Sequence, residues 1–460
     1  MAERSEVFIG GRWVTGTGSR LIEVRNPATG ARVGRAGLAS LADVDDAVAA
    51  ARAGFDSGVW AEAAPGQRAQ VLRTAADLLE KRAGEIARLI TAELGSPIGL
   101  SERLHVPDAI RHLRCSADVA ESFPYDERRA DGGDTSLVTR RPVGVVAAIT
   151  PWHGPLSMPA LKVAPALAAG CSVVLKPPPE TPLSAYQLAE ALVEAGLPPD
   201  VLSVLPGDRD AGAHLVEHPR VDMVDFTGSG AAGRTVVSAC VNRAARVTME
   251  FGGRAAAVVL DDADLDAVVP ALLPVALAEN GQAGIAQTRL LVPRAKADAL
   301  VEALAEGLRA QRVGDPMDPA TTIGPMVGMR QRDRVLGYVE SGREAGARVV
   351  TGTPPSTLPG WFVTPTLLAG VESGMRVARA EVFGPVLAVT AYEGEDQAVA
   401  YANEEPFARA ASVWSADAER ALAVARRIRT GTVSVNGRRQ ASGGCVEAFR
   451  TCLESKSIAL

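Results

Sequence analysis

The sequence predicts an α/β fold in which a parallel sheet is covered by helices on both faces. Short apolar runs recur along the chain: "VGVVAAIT" (Val143–Thr150), "SVVLKP" (Ser172–Pro177), "DMVDFTG" (Asp222–Gly228) and "RAAAVVL" (Arg254–Leu260). Strands apolar on both faces belong in a parallel sheet buried between helices, whereas half-exposed strands alternate. Longer Ala/Leu-rich stretches separate these runs, and the strand–helix alternation continues to Val435, which is the α/β pattern. A length of 460 residues leaves room for two or three domains and a large core.

In chain order, "MAERSEVFIGGRW" is charged early and lacks a long apolar core, so it is not expected to be a signal peptide. "ERRADGG" (Glu127–Gly133) is the best candidate for an exposed hairpin turn. After the Ser172–Pro177 run, "TPLSAYQLAEALVEAG" carries Leu183, Leu188, Ala189 and Leu192 at helical spacing and stops at Gly196. No repeat and no low-complexity linker interrupts the chain. No window approaches the roughly 18 apolar residues of a membrane helix. The net charge of -6, from 48 Lys+Arg against 54 Asp+Glu, is too balanced to argue for nucleic acid or membrane partners. "RRIRTG" (Arg426–Gly431) is expected to be the solvated end of a helix. Five scattered cysteines, at 115, 171, 240, 445 and 452, lack metal-ligand spacing; they read as free thiols in a reducing, cytoplasmic compartment.

Several turns carry residues capable of chemistry. "DFTGSGAAGRTV" joins a strand to a helix through Gly228, Ser229, Gly230 and Gly233. Its amides and helix dipole suit an anion, although the spacing is not the usual dinucleotide fingerprint and a plain turn is an equal reading. Lys176 closes an apolar strand, where ligands of open α/β sheets bind, or it is a surface lysine. Glu250, before Gly252 and Gly253, suits a general base or a simple cap, and Glu381 in "EVFGPV" is as ambiguous. His153, in the Pro-flanked turn "TPWHGP", is placed either for proton transfer or as a structural imidazole. The site-like turn "ENGQAGIAQTR" (Glu279–Arg289) has no reactive side chain at its centre, Ala283 to Ala286.

Together and in order, these windows resemble the aldehyde dehydrogenase superfamily nearly end to end. The resemblance includes "FIGGRW", "VRNPATG", "RRPVGVVAAITPW", "KVAPALAAGCSVVLKP", "HPRVDMVDFTGSGAAG", "MEFGGR", "GQAGIAQTRLLVP", "VGDPMDPATTIGPMV", "EVFGPVLAV" and "LESKSIAL". It implies a doubly wound cofactor domain (1–122 and 142–250), an α/β catalytic domain (251–431) and a small β oligomerisation arm (123–141 and 432–460). It also implies a homodimer or homotetramer, a small-molecule substrate, and NAD or NADP as cofactor, with no metal. By position, Thr150, Pro151, Trp152, Lys176, Gly228, Ser229, Gly233, Gly252, Glu381 and Phe383 match cofactor contacts, and Glu250 matches the general base.

Four departures from that family stand out. Its nucleophile motif, Gly-Gln-x-Cys, reads Gly281-Gln282-Ala283-Gly284 here, so the thiol is absent. The oxyanion-hole Asn is replaced by His153. The ribose-binding carboxylate three residues after the Lys is Pro179, with Glu180 one further on. Roughly 15 residues of a loop that helps close the substrate tunnel are missing before the last helix. Without a thiol no thiohemiacetal forms, and positioned groups that act as a unit lose most of their rate when one is removed. Cys445 is the one candidate for a replacement thiol. Three expectations follow: a cofactor-binding oxidoreductase without thiol catalysis, a repurposed enzyme using His153 and Glu250 as acid and base, or a non-catalytic scaffold.

Overall fold

The computed structural model describes residues 2–18, 20–131, 134–253, 255–352, 358–404, 409–438 and 444–460. Two seven-stranded sheets and two three-stranded sheets organise them. The first large sheet runs Arg246–Phe251, Met223–Gly228, Val145–Ile149, Ser172–Lys176, Leu202–Val204, Val7–Ile9, Arg12–Val14. Its first five strands are parallel, and the Val7–Val14 hairpin adds an antiparallel edge. The strand Val145–Ile149 and the strand Ser172–Lys176 are buried at every position, as their unbroken apolar sequence requires. One face is covered by helices Pro65–Lys81, Val106–Ser122, Ser157–Ala169 and Leu183–Glu194, the other by Leu41–Asp56, Arg209–Glu217 and Gly230–Asn242.

Chain order reverses direction between the strand Val145–Ile149 and the strand Met223–Gly228. This is the topological switch point at which open α/β sheets bind ligands beyond their carboxyl ends. Gly233 tightens the crevice, because a Cβ there would lie 1.9 Å from the Phe251 ring, and only glycine lets the helix Gly230–Asn242 approach so closely.

The second large sheet runs Arg348–Thr351, Thr366–Ala369, Val386–Tyr392, Arg289–Pro293, Ala256–Val259, Ala410–Trp414, Thr432–Val435, parallel except at its first pairing. The apolar "RAAAVVL" run therefore belongs to this sheet. Thr432–Val435 pairs with Ala410–Trp414, so the sheet continues past Gly431, the boundary expected from the sequence. The strand is drawn in by a full parallel ladder that residue type alone does not reveal.

An antiparallel arm joins Asp126–Asp131, Asp134–Pro142 and Leu453–Ala459. Glu127–Asp131 lies in a strand and not in the expected turn, and Gly132 and Gly133 fall outside the described residues. Arg426 and Arg427 follow the helix Ala418–Ala425 and are exposed, with Arg427 paired to Asp396.

The expectation of five free thiols is corrected. Cys115, on Val106–Ser122, is disulfide-bonded to Cys445 on the last helix, Gly444–Thr451, across 330 residues of sequence. Folding places both side chains at one helix–helix contact, which spacing along the chain cannot show. Cys171, Cys240 and Cys452 are free and buried. Among the described residues, no helix is long and apolar enough to cross a membrane, and no group of three or more His, Cys, Asp or Glu side chains is arranged to hold a metal ion.

Candidate functional site

The crevice is built from the ends of the central strands and two loops of the second sheet's domain. At its far end Lys176 is buried and donates to the carbonyls of Gly207, at 2.8 Å, and Pro177, at 3.4 Å. Burial pulls its pKa down to about 8, against the opposing influence of Glu180 and Asp208. At the switch point, Ser229 caps the helix Gly230–Asn242 by accepting from the Ala232 amide at 3.3 Å, with no acidic residue in that first turn. Thr150 ends the central strand's run, and its hydroxyl is buried without a hydrogen-bond partner among the described residues. Three observations thus fit a dinucleotide: an orphaned hydroxyl, an uncrowded helix N-terminus and a glycine-tight turn.

Nearer the second sheet, Trp152, His153 and Phe383 form an aromatic cluster. Ring centroids are 5.2 Å apart for Trp152–Phe383 and 5.3 Å for His153–Phe383. Phe383 has a φ of +59°, a costly backbone for a bulky residue that surrounding contacts must hold in place. Pro151 precedes the cluster. Beside it, a Cβ on Gly252 would lie 2.2 Å from the Glu381 carboxylate, so Gly252 lets that carboxylate close over the chain.

The turn with the empty centre is held firmly. Asn280 donates to the carbonyls of Gly95, at 3.0 Å, and Pro325, at 2.9 Å, and accepts from the Gly324 amide at 2.7 Å. Gln282 donates to the Glu279 carbonyl and accepts from the Val327 amide. Gly281, at φ +75°, crosses the Gly384 carbonyl so tightly that a Cβ would lie 2.2 Å away. This crossing locks the Glu279–Arg289 turn to the Glu381–Phe383 loop. Gly284 itself is buried and open: a Cβ there would meet nothing closer than Arg409 and Gly252, both at 3.9 Å.

Glu250 lies beside Thr227 on the neighbouring parallel strand, whose hydroxyl donates to it at 3.0 Å. Its other oxygen is 3.3 Å from the Arg409 guanidinium. Burial opposes its ionisation, but Arg409, Lys162, the Thr227 donor and His112 outweigh burial and hold its pKa below the ordinary carboxylate value. Burial, then Arg409, then His105 lower the His153 pKa to about 3 despite Glu250. Among the described residues, no hydrogen bond or ion pair joins His153 to Glu250.

The sequence reading overlooked Arg409 and Glu279. Arg409 precedes an apolar strand and has no local signal of a site. Glu279 sits within the site-like turn at φ +52°, almost fully buried, with one carboxyl oxygen lacking a hydrogen-bond partner among the described residues. Its other oxygen is 3.9 Å from His105. Burial raises its pKa to about 8, so it holds a proton at neutral pH, while burial lowers His105 to about 4. No sulfur lies closer than 4.0 Å to the Cβ position of Gly284. Cys445 is bonded to Cys115, and Cys171 and Cys452 adjoin each other behind the first sheet, where burial raises the pKa of both.

Known proteins resemble the chain over nearly its full length. Residues 13–446 match the model of the aldehyde dehydrogenase family. The chain is 44% identical over 436 residues to geranial dehydrogenase of Castellaniella defragrans, covering 95% of this chain and 91% of that protein. It is 40% identical over 443 residues to 3-succinoylsemialdehyde-pyridine dehydrogenase of a Pseudomonas species, with the same coverage, 95% and 91%. Among solved structures it is similar to a Mycobacterium tuberculosis aldehyde dehydrogenase complexed with NAD+, at TM-score 0.98 and 40% identity, covering 100% of this chain and 98% of that one. A mutant of aldehyde dehydrogenase C from Pseudomonas syringae, complexed with NAD+ and octanal, gives TM-score 0.94 at 37% identity, covering 99% and 96%.

Proposed function

The chain belongs to the aldehyde dehydrogenase family, and from that premise we propose that it is a nicotinamide dinucleotide-binding oxidoreductase that has lost thiol-dependent aldehyde oxidation. The observation that carries the reading is Gly284, buried in a fully anchored turn with no side chain and no neighbouring thiol. Thr150, Pro151, Trp152, Lys176, Gly228, Ser229, Gly233, Gly252, Glu381 and Phe383 would hold NAD or NADP in the switch-point crevice. The cofactor's part would be to take or give a hydride. The chain's own residues orient it: Ser229 and the helix N-terminus face phosphate, Lys176 faces the far end, and the Trp152–Phe383 cluster walls the near end.

Relatives and solved neighbours described as dehydrogenases, two of them bound to NAD+, support the cofactor reading. The cofactor, catalytic and arm divisions expected from the sequence remain part of the proposal, with the catalytic unit extended to Val435. Self-association through the arm belongs to it as well. A cytoplasmic location rested on free thiols and on an N-terminus unlike a signal peptide, and the Cys115–Cys445 bond weakens the first of these supports.

A His153–Glu250 acid–base pair is the second reading and has less support, because Arg409 engages Glu250 and both groups are held weakly basic. Calorimetric titration with NAD+ and NADP+ tests the first reading, with binding of at least one expected. Wild-type protein mixed with aldehyde and cofactor should form no NADH or NADPH that iodoacetamide abolishes. Absence of binding by both cofactors, or thiol-sensitive turnover, overturns it.

A further inference from the structure

We propose that the space emptied at Gly284 is an anion site, and that Arg409 holds the carboxylate of a small organic acid there. This rests on the reading that no thiol acts at Gly284. Ligand capture is then ionic where the family's would be covalent, and the site favours a carboxylate-bearing ligand over a neutral aldehyde.

Two independent sets of donors adjoin this space. The Arg409 guanidinium stands 3.9 Å from where a Cβ on Gly284 would be, and its Cδ stands 4.0 Å away. Its sole side-chain partner among the described residues is Glu250, reached through one terminal nitrogen. The other terminal nitrogen and Nε are uncommitted. The buried Gly284 amide likewise donates to no acceptor among the described residues. A planar guanidinium with spare N–H groups matches the paired oxygens of a carboxylate, and a charge-assisted bond of this kind is about twice as strong as a neutral one. Arg409 is partly exposed, with 27% of its side chain accessible, so an anion can reach its spare N–H groups.

Glu250 tunes this site. It occupies one end of the guanidinium and offsets its charge, so it competes with an incoming anion. The two partners act in opposite directions: removing Arg409 abolishes anion preference, and neutralising Glu250 strengthens it.

The test uses full-length protein saturated with whichever dinucleotide binds, or bare protein if neither does, in chloride-free buffer. Propionate and its neutral isostere propionamide are titrated calorimetrically into wild type, Arg409→Leu and Glu250→Gln, with a melting curve for each. Wild type should prefer propionate by tenfold or more. Arg409→Leu should lose that preference, and Glu250→Gln should bind propionate several-fold more tightly than wild type. Equal binding of the two ligands by wild type, or a preference that survives Arg409→Leu, overturns the proposal. Should Arg409→Leu fail to fold, Glu250→Gln decides: unchanged or weaker propionate binding overturns it. Failure of dinucleotide binding with propionate preference intact sinks only the cofactor reading.

Discussion

His153 reports on its neighbours because its proton is the one most exposed to their charges. A cation beside an imidazole disfavours the charged form and an anion favours it. Arg409→Leu should therefore raise the His153 pKa from about 3, by on the order of one pH unit, and Glu250→Gln should lower it. A proton NMR titration of the five histidines checks both. Unmoved His153 resonances in both variants would mean the three groups do not share a space. The absence of a side chain at Gly284 was legible because the family resemblance singles out that position. The identity of what stands beside it was not. Arg409 precedes the strand Ala410–Trp414, in the same sheet as the strand that follows Gly284 but in a different sheet from Glu250, and no pattern within any of these segments encodes that approach.

Elements were more legible than their pairing. Fully apolar strands and an Ala/Leu-rich helix follow from local composition, and Leu183–Glu194 forms where its spacing predicts. The membership of Ala256–Val259 and Thr432–Val435 in one sheet depends on pairings such as Ala256 with Ala411, far apart in sequence and beyond any periodicity. The same holds for the bond between Cys115 and Cys445. Such a cross-link restricts the unfolded chain, and removing one costs ~2–4 kcal/mol. Cys445→Ser should therefore lower the melting temperature under non-reducing conditions, and reductant should lower that of wild type but not of the variant. Equal melting of all four samples would show that the bond contributes nothing. At the crevice, Gly233→Ala places a methyl on the Phe251 ring, an overpacking that costs ~1–3 kcal/mol. By pushing back the helix N-terminus it should weaken dinucleotide binding more than it lowers stability. A variant with wild-type affinity measured by calorimetry would remove that helix from the cofactor site.

For the whole molecule, the buried titratable groups around the site set how stability depends on pH. Burial raises Glu279 to about 8 and Glu93 to about 7. Both ionise freely in the unfolded chain near the usual 4.3. Between those values the folded state binds protons that the unfolded state has released, so each group makes stability fall as pH rises. His105 and His112, lowered to about 4, and His153, lowered to about 3, act in the opposite sense. Their unfolded counterparts take up protons below about 6.5, so stability falls as pH drops below that point. Three imidazoles outweigh two carboxyls below pH 6.5; above pH 7 Glu279 dominates, and Lys176, lowered to about 8, increasingly opposes it as pH nears 8. Stability should therefore peak near pH 6.5 and decline toward pH 8, with a limiting slope of about 1.4 kcal/mol per pH unit for one proton. Glu279→Gln keeps the shape of the side chain but cannot ionise, so it should flatten the decline above pH 7 and leave the acid limb in place. Urea unfolding followed by tryptophan fluorescence at pH 5, 6.5, 7.2 and 8 measures both limbs. A wild-type curve that rises from pH 7 to pH 8, or a Glu279→Gln curve that falls as steeply as wild type, would show that Glu279 is ionised in the fold. The turn around Gly284 would then hold a second negative charge, and anion binding there would be correspondingly weaker.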